Sequence, residues 1–404
     1  MSIGERKVFA CGARHAAAIL LLAAMAQLQP FAAESASLKV FWSKPVLALT
    51  PGSTPSPRDA PDTLTVGDVL SDAGRPILLG QRTGSQHLLF DADARGPGTD
   101  KRLPLKGFAQ RLTHGLSGTL WIGGSANERM TGASWRLAEG YLAKLDRTGT
   151  IMGEYTFPSR GVRRINDLVS LPTGDVVVAG REQETTWLAR ISATGDLRWE
   201  RAFGIARGAA VALAGDHIIV VGIEGNDLVA WMFDGAGGSI GHRIVRTGLA
   251  LHFSNFGRFA FVQANDALYV ASSWQDPSHA KPLEIVRLDP DGGTRWRREL
   301  PTTILQESSQ VTNWRTCNEG RTVLATGDIL IACSIRNRIL LFQLDAESGG
   351  VAETSLPLPD CHQGRPAALF LMQRPDGTIW LFGSRPSGNG AASCTWLGEL
   401  SLQP

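Results

Sequence analysis

Charge of one sign is what this 404-residue chain lacks: 40 lysines and arginines stand against 38 aspartates and glutamates, and charged residues make up only 19%. That balance excludes wholesale nucleic-acid binding, which needs a surplus of cations. Long amphipathic stretches rich in Glu and Lys are missing too, which excludes a helical bundle for the body of the chain. The 5 cysteines include no Cys-x-x-Cys pair, so neither a thioredoxin-like redox motif nor a zinc ribbon is supported. No P-loop or dinucleotide fingerprint occurs. His87, His114, His217, His242, His252, His279 and His362 are scattered without ligand spacing, so no metal is expected.

The longest apolar run, Ala16–Ala26 (AAAILLLAAMA), is too short to span a bilayer core of ~30 Å. Arg6, Lys7 and Arg14 precede it with positive charge, and small residues follow at 32–36. Residues 1–36 therefore read as a signal peptide cleaved near 32–36, and a periplasmic or secreted, monomeric protein without an integral membrane segment is expected. Removing residues 1–33 takes away those three cations and Glu5, bringing the formal charge to zero. Cys317, Cys333, Cys361 and Cys394 remain. An even count in an exported chain favours two disulfides, with three connectivities open.

What the chain has is 45 Gly, 21 Pro, 11 Trp and a repeat. A polar tight turn followed by a short Val, Ile and Leu run, usually closed by Gly or Ser, recurs seven times. The copies are AGRPILLG, SGTLWIGG, TGDVVVAG, GDHIIVVG, NDALYVAS, GDILIACS and DGTIWLFG, with a spacing of about 50 residues. Continuous apolar runs bounded by turn residues suit strands buried on both faces. A second pattern follows each copy, an apolar strand entering an Asp- or Ser-containing Gly turn, as in LAKLDRTG, LARISATG and IVRLDPDGG. A further strand ahead of the first pattern, such as NDLVSLP or AAVAL, gives four strands per module, the unit of a propeller blade.

Trp199 and Trp296 sit just after the Gly turn in DLRWERAF and GTRWRREL, on expected outer strands. The seventh module ends in WLGELS with no room for an outer strand, whereas LKVFWSKPV near the start resembles one. The reading is an all-β, seven-bladed β-propeller of four-stranded antiparallel blades over 38–402. Its ring is closed by residues 38–46 pairing with 395–402, which removes an open edge. The Pro-rich stretch 50–62 serves as connector.

The TG-x-x-x-W form of the turn, clearest in ISATGDLRW, resembles repeats of quinoprotein-like bacterial β-propellers. That resemblance implies architecture over roughly 38–402. Quinoprotein alcohol dehydrogenases use eight blades, adjacent cysteines and calcium beside pyrroloquinoline quinone; this sequence lacks the adjacent cysteines, so no cofactor is carried over.

GGSIG at 237–241, beside His242, matches G-x-S-x-G, but no helix follows to form the strained elbow that motif needs. DADARG and DPDGG coincide with blade turns and lack the bidentate Glu of a calcium loop. One constellation remains. Lys106, Arg164, Arg207, Arg258, Arg321 and Arg365 stand at or just before the expected inner strands, where a ring of cations would attract an anionic ligand or acidic partner. Long loops at 126–139, 247–257, 302–320 and 385–393 are expected at the same end, carrying Trp135, His252 and Trp314. Pairing Cys317–Cys333 and Cys361–Cys394 would brace the last two blades. Two functions stay open. One is a non-catalytic recognition or scaffold protein of the cell envelope that binds a protein partner or an anionic small molecule or glycan. The other is a propeller hydrolase or lyase acting on an acidic sugar or ester, with Asp167, Glu182, Glu224 and His252 as contributors of unassigned role.

Overall fold

A strand can be apolar without alternation only if both of its faces are covered, and the covered faces here lie between neighbouring four-stranded sheets. The computed structural model describes residues 38–41, 65–73, 75–82, 85–90, 99–131, 135–159, 161–204, 206–225, 227–246, 260–264, 267–272, 284–300, 320–335, 338–357, 368–385 and 394–402. After β1 (Leu38–Phe41), the first sheet runs β2 (Thr65–Asp72), β3 (Arg75–Arg82), β4 (Ser85–Phe90) and β5 (Thr99–Leu103). The second is β6 (Gly107–His114), β7 (Leu120–Thr131), β8 (Trp135–Leu145) and β9 (Ile151–Phe157). The third is β10 (Arg163–Ser170), β11 (Val176–Glu182), β12 (Thr185–Ile191) and β13 (Leu197–Phe203). The fourth is β14 (Ala206–Ala214), β15 (His217–Glu224), β16 (Asp227–Phe233) and β17 (Ser239–Arg246). The fifth is β18 (Ala260–Ala264), β19 (Ala267–Ser272), β20 (Glu284–Leu288) and β21 (Thr294–Glu299). The sixth is β22 (Gly320–Val323), β23 (Ile329–Ile335), β24 (Arg338–Leu344) and β25 (Val351–Pro357). β26 (Ala368–Gln373), β27 (Ile379–Arg385) and β28 (Cys394–Leu402) complete the order.

Spatial order follows chain order in the first six sheets, and all described strand pairings are antiparallel. The remaining sheet has the order β1-β28-β27-β26, with Leu38 opposite Leu402 and Phe41 opposite Glu399. Residues 42–46, which the sequence also assigned to this strand, lie outside the described residues, as do the signal segment and the Pro-rich connector at 50–62.

The core consists of layers between successive sheets. Leu120, Ile122 and Ala143 of the second sheet pack with Leu79 and Leu88 of the first. Their strand neighbours Trp121 and Leu142 turn the other way, onto Ile165, Val176, Val178 and Trp187 of the third. Neighbouring side chains of one strand thus serve different layers, which is why WIGG, VVVAG and IIVVG carry no polar alternation. Each fully buried Leu, Ile or Val contributes roughly 1.5–3 kcal/mol.

Side chains also fasten each sheet to the turn of the next. Arg190 on β12 donates from Nη1 to the carbonyl of Gly235 at 2.6 Å, and Trp199 on β13 donates to the same oxygen at 3.3 Å. Two sheets on, Arg287 and Trp296 both donate to the carbonyl of Ala346, the indole at 3.0 Å. Between the second and third sheets, Lys144 donates to Ala193 and the Tyr155 hydroxyl to Thr194, the latter at 3.2 Å. The Asp of the repeated TGD turn supports the receiving end. Asp175 accepts from the Ala193 amide (3.0 Å) and from Arg190 (2.7 Å), and Asp328 accepts from the Ala346 amide (3.2 Å). The turn glycine is needed twice over. Gly237 has φ +80°, and a Cβ there would come within 2.7 Å of the Trp199 ring.

These contacts separate two glycines. Gly215 has φ +57° but open space where a Cβ would go. Gly215→Ala should cost about 1–2 kcal/mol from left-handed strain alone. Gly237→Ala should cost clearly more, because it also unseats the indole. Denaturant midpoints of the two variants check this, and equal losses would show that the aromatic seat contributes nothing.

Candidate functional site

The first strands of successive sheets lie side by side, from β2·β6 through β22·β26, and β2 also touches β26. Four of them carry a bulge: three at the same place, between Val66 and Asp68, Ala109 and Arg111, and Ile165 and Asp167, and one a pair earlier, between Arg207 and Ala209. The glycine that closes the apolar run stands opposite: Gly80 pairs with Val66, Gly124 with Ala109, Gly180 with Ile165 and Gly222 with Ala209. A Cβ at Gly124 would overlap the Phe108 carbonyl oxygen, and one at Gly180 that of Arg164. Glycine closes these runs because a bulged backbone lies directly over it.

The bulge re-aims the residue after it. Asp68 accepts from the amide of Leu112 on β6 at 2.9 Å, and Asp167 accepts from the amide of Val211 on β14 at 3.0 Å. Each carboxylate also accepts from the amide next to it, Val69 at 3.1 Å and Leu168 at 3.0 Å. Between them stands Arg111, with Nη1 4.0 Å from Asp68 and Nε 3.9 Å from Asp167. Burial pushes both carboxyls above their usual range, and Arg111 opposes that shift. The charge of Arg321 on β22 also pulls Asp167 downward. Asp167 was a candidate contributor from sequence; Asp68 and Arg111 were missed. Their signal was a charged side chain among the apolar residues Val66, Val69 and Leu70, or Ala109 and Leu112, legible only once the one-residue bulge is allowed for.

Beside these strands opens a cavity of about 450 Å³ lined by Lys106, Phe108, Gln110, Ser125, Asn127 and Arg164 among others. It brings together two of the six expected cations. Lys106 precedes β6, its ammonium 3.6 Å from Glu154 and its backbone amide donating to the same carboxylate at 3.0 Å. Arg164 is the second residue of β10. Its neighbour Arg163 stacks 4.7 Å over Trp187 and pairs with Glu182 at 2.6 Å and Glu200 at 3.3 Å. Glu182 therefore serves an ion pair rather than an open site.

The segment 126–139, expected as a long loop, is instead mostly hairpin: β7 and β8 run on to Thr131 and from Trp135. A bulge between Ala126 and Arg129 carries the register past Asn127, whose φ is +52° and whose amide donates to Glu139 at 2.7 Å. Ala138 then bonds to the Gly161 carbonyl at 3.3 Å, laying the arm against the entry to the third sheet. Trp135 accordingly opens β8 and does not sit in a loop.

Arg207 is the second residue of β14, Arg321 the second of β22 and Glu224 the last of β15. Cys333 is buried on β23 and Cys394 opens β28. Arg258, Arg365, His252, Trp314, Cys317 and Cys361 lie outside the described residues, as do residues 247–257, 302–319 and 386–393 of the expected loops. Among the described residues there is no group of three or more His, Cys, Asp or Glu able to hold a metal, and no helix long and apolar enough to cross a membrane. Gly237 and Gly238 form a hairpin turn into β17, so the GGSIG segment carries no helix behind it.

A model of the family described as outer membrane protein assembly factor BamB matches residues 138–380. No curated protein matches the chain. Among solved structures, virginiamycin B lyase from Staphylococcus aureus is 15% identical with a TM-score of 0.53, over 91% of this chain and 100% of that one. The Neurospora crassa Pan2 WD40 domain is 10% identical with a TM-score of 0.51, over 90% and 94%. BBS1N, solved in complex with ARL6DN, is 11% identical with a TM-score of 0.51, over 91% and 97%. At these identities the likeness is one of fold, the β-propeller.

Arg111 holds two buried carboxyls, and its removal has a signed pH dependence. Both folded carboxyls keep their protons to a higher pH than in the unfolded chain. Their contribution is therefore fully present below the unfolded pKa and is lost as the pH rises through the folded value. Arg111 limits that loss. Arg111→Leu should cost roughly 3 kcal/mol at pH 7.5 and less at pH 5, because a falling pH favours the protonated carboxyls. Chemical denaturation at both pH values checks it; a loss independent of pH would contradict the assignment.

Proposed function

The chain belongs to that family of PQQ-like β-propellers, and from this premise we propose that it is a non-catalytic scaffold of the cell envelope serving outer-membrane protein assembly. The family match over residues 138–380 carries the reading. We propose further that the sheets form a closed seven-bladed ring. The contact between β2 and β26 and the pairing of β1 with β28 support closure, which leaves no edge strand open for aggregation.

The end where the first strands begin is taken as the partner-binding surface. There the arm of β7 and β8 and the basic residues Lys106, Arg164 and Arg321 would meet a protein partner. The buried carboxylates favour recognition over hydrolysis or elimination. Asp68 and Asp167 each accept backbone amides from two places and face Arg111, so their oxygens are committed to holding strands together. Export to the periplasm, with cleavage near 32–36, belongs to the same proposal. So do the Cys317–Cys333 and Cys361–Cys394 pairings.

Deleting the gene in its own cell should lower the fraction of outer-membrane barrels that show the heat-dependent gel shift of folded barrels. The wild-type chain, recovered from the periplasmic fraction, should restore it. Normal barrel folding in the deletion strain would overturn the reading.

A further inference from the structure

The cavity between the second and third sheets brings together groups that suit a small polar anion. Cations come from both sheets, Lys106 and Arg164; amides come from Gln110 and Asn127; and one aromatic ring, Phe108, is 37% exposed. We propose that this cavity binds an acidic sugar, a pyranose bearing one carboxylate.

The carboxylate would lie against Lys106 and Arg164. A guanidinium offers it a planar fork, and charge-assisted bonds are about twice as strong as neutral ones. Glu154, 3.6 Å from the Lys106 ammonium, offsets part of the positive charge, which suits a monoanion better than a dianionic phosphate. Gln110 and Asn127 can each donate and accept, matching sugar hydroxyls that do both. The Phe108 ring gives the apolar C–H face of a pyranose something to cover. A volume of about 450 Å³ lies in the usual small-ligand range of roughly 300–1,000 Å³.

The walls are also held in place before any ligand arrives. Asn127 is fixed in the left-handed region by its bond to Glu139 and by the bulge in β7. The Arg164 backbone rests on Gly180, where a Cβ would not fit. Lys106 is tied through its amide to Glu154, whose carboxylate also accepts the Tyr141 hydroxyl at 2.5 Å. Pre-organisation of this kind lowers the ordering cost of binding.

The proposal does not depend on the assembly role, since a protein with no effect on barrel folding would still bind the sugar. The test is calorimetric titration of the full secreted chain with glucuronate and galacturonate, with glucose and inorganic phosphate as comparisons. Saturable uronate binding is expected, weakening with added salt, with no saturable binding of glucose. Lys106→Ala and Arg164→Gln should each weaken it about tenfold or more. Lys106 is 78% exposed, so its variant keeps the test open even if the Arg164 variant fails to fold. Absence of uronate binding, equal affinity for glucose, or unchanged affinity in Lys106→Ala would overturn the proposal. Phosphate binding tighter than uronate would overturn it in favour of an inorganic-anion site.

Discussion

A turn carbonyl that receives two donors from the preceding sheet is the contact on which the rest of this architecture depends. Gly235 takes one from Arg190 and one from Trp199, and Ala346 takes one from Arg287 and one from Trp296. Sheets of four strands have little reason to stay in fixed register with each other if only apolar layers lie between them, because hydrophobic contact is non-directional. The donors supply direction. A basic residue and an aromatic residue from adjacent strands converge on one oxygen, and a turn glycine makes room for the ring.

The inner end of each sheet solves a different problem with the same economy of residues. A bulge in the first strand brings one side chain out of alternation, and the facing glycine tolerates the displaced backbone. Where that side chain is Asp, as at 68 and 167, it reaches the amide of the next first strand. Where it is Arg111, it compensates both carboxylates. A buried charged group left alone would cost several kcal/mol; here the three are mutually arranged so that none is alone. Outer docking and inner clasping are separated along each blade, and the fully apolar runs lie between them.

Much of this could be read in the residues. The runs VVVAG and IIVVG announced two buried faces, and TG-x-x-x-W announced an aromatic seated after a glycine turn. LKVF was legible as the fourth strand of the last sheet because LKVFWSKPV resembles the outer strands of other modules. The bulges were not legible, since a single extra residue leaves composition and periodicity almost untouched while turning a side chain to the opposite face. Asp68 and Arg111 escaped for that reason. The arm at 126–139 escaped because Asn127, Gly132 and Ser134 read as loop chemistry, whereas a second bulge lets the strands continue past Asn127. The basic residues two places before the turn, Lys144, Arg190 and Arg287, recur in AKLD, ARIS and VRLD, but only their acceptors, the turn carbonyls of Ala193, Gly235 and Ala346 in the next sheet, reveal their purpose.

In a family tied by its description to outer-membrane assembly, rigid sheets with a varied end suit a platform that presents loops and cavities to other molecules. Rigidity then rests on the turn carbonyls acting as couplings between sheets. The most direct measurement is urea unfolding of a chain carrying Arg190→Met and Trp199→Leu, followed by far-ultraviolet circular dichroism and by the fluorescence of the remaining tryptophans. If the account is right, the single cooperative transition of the unaltered protein splits, or its denaturant slope falls, as the sheets on either side of the lost contact unfold separately. One unchanged, coincident transition with only a small loss of midpoint would contradict it.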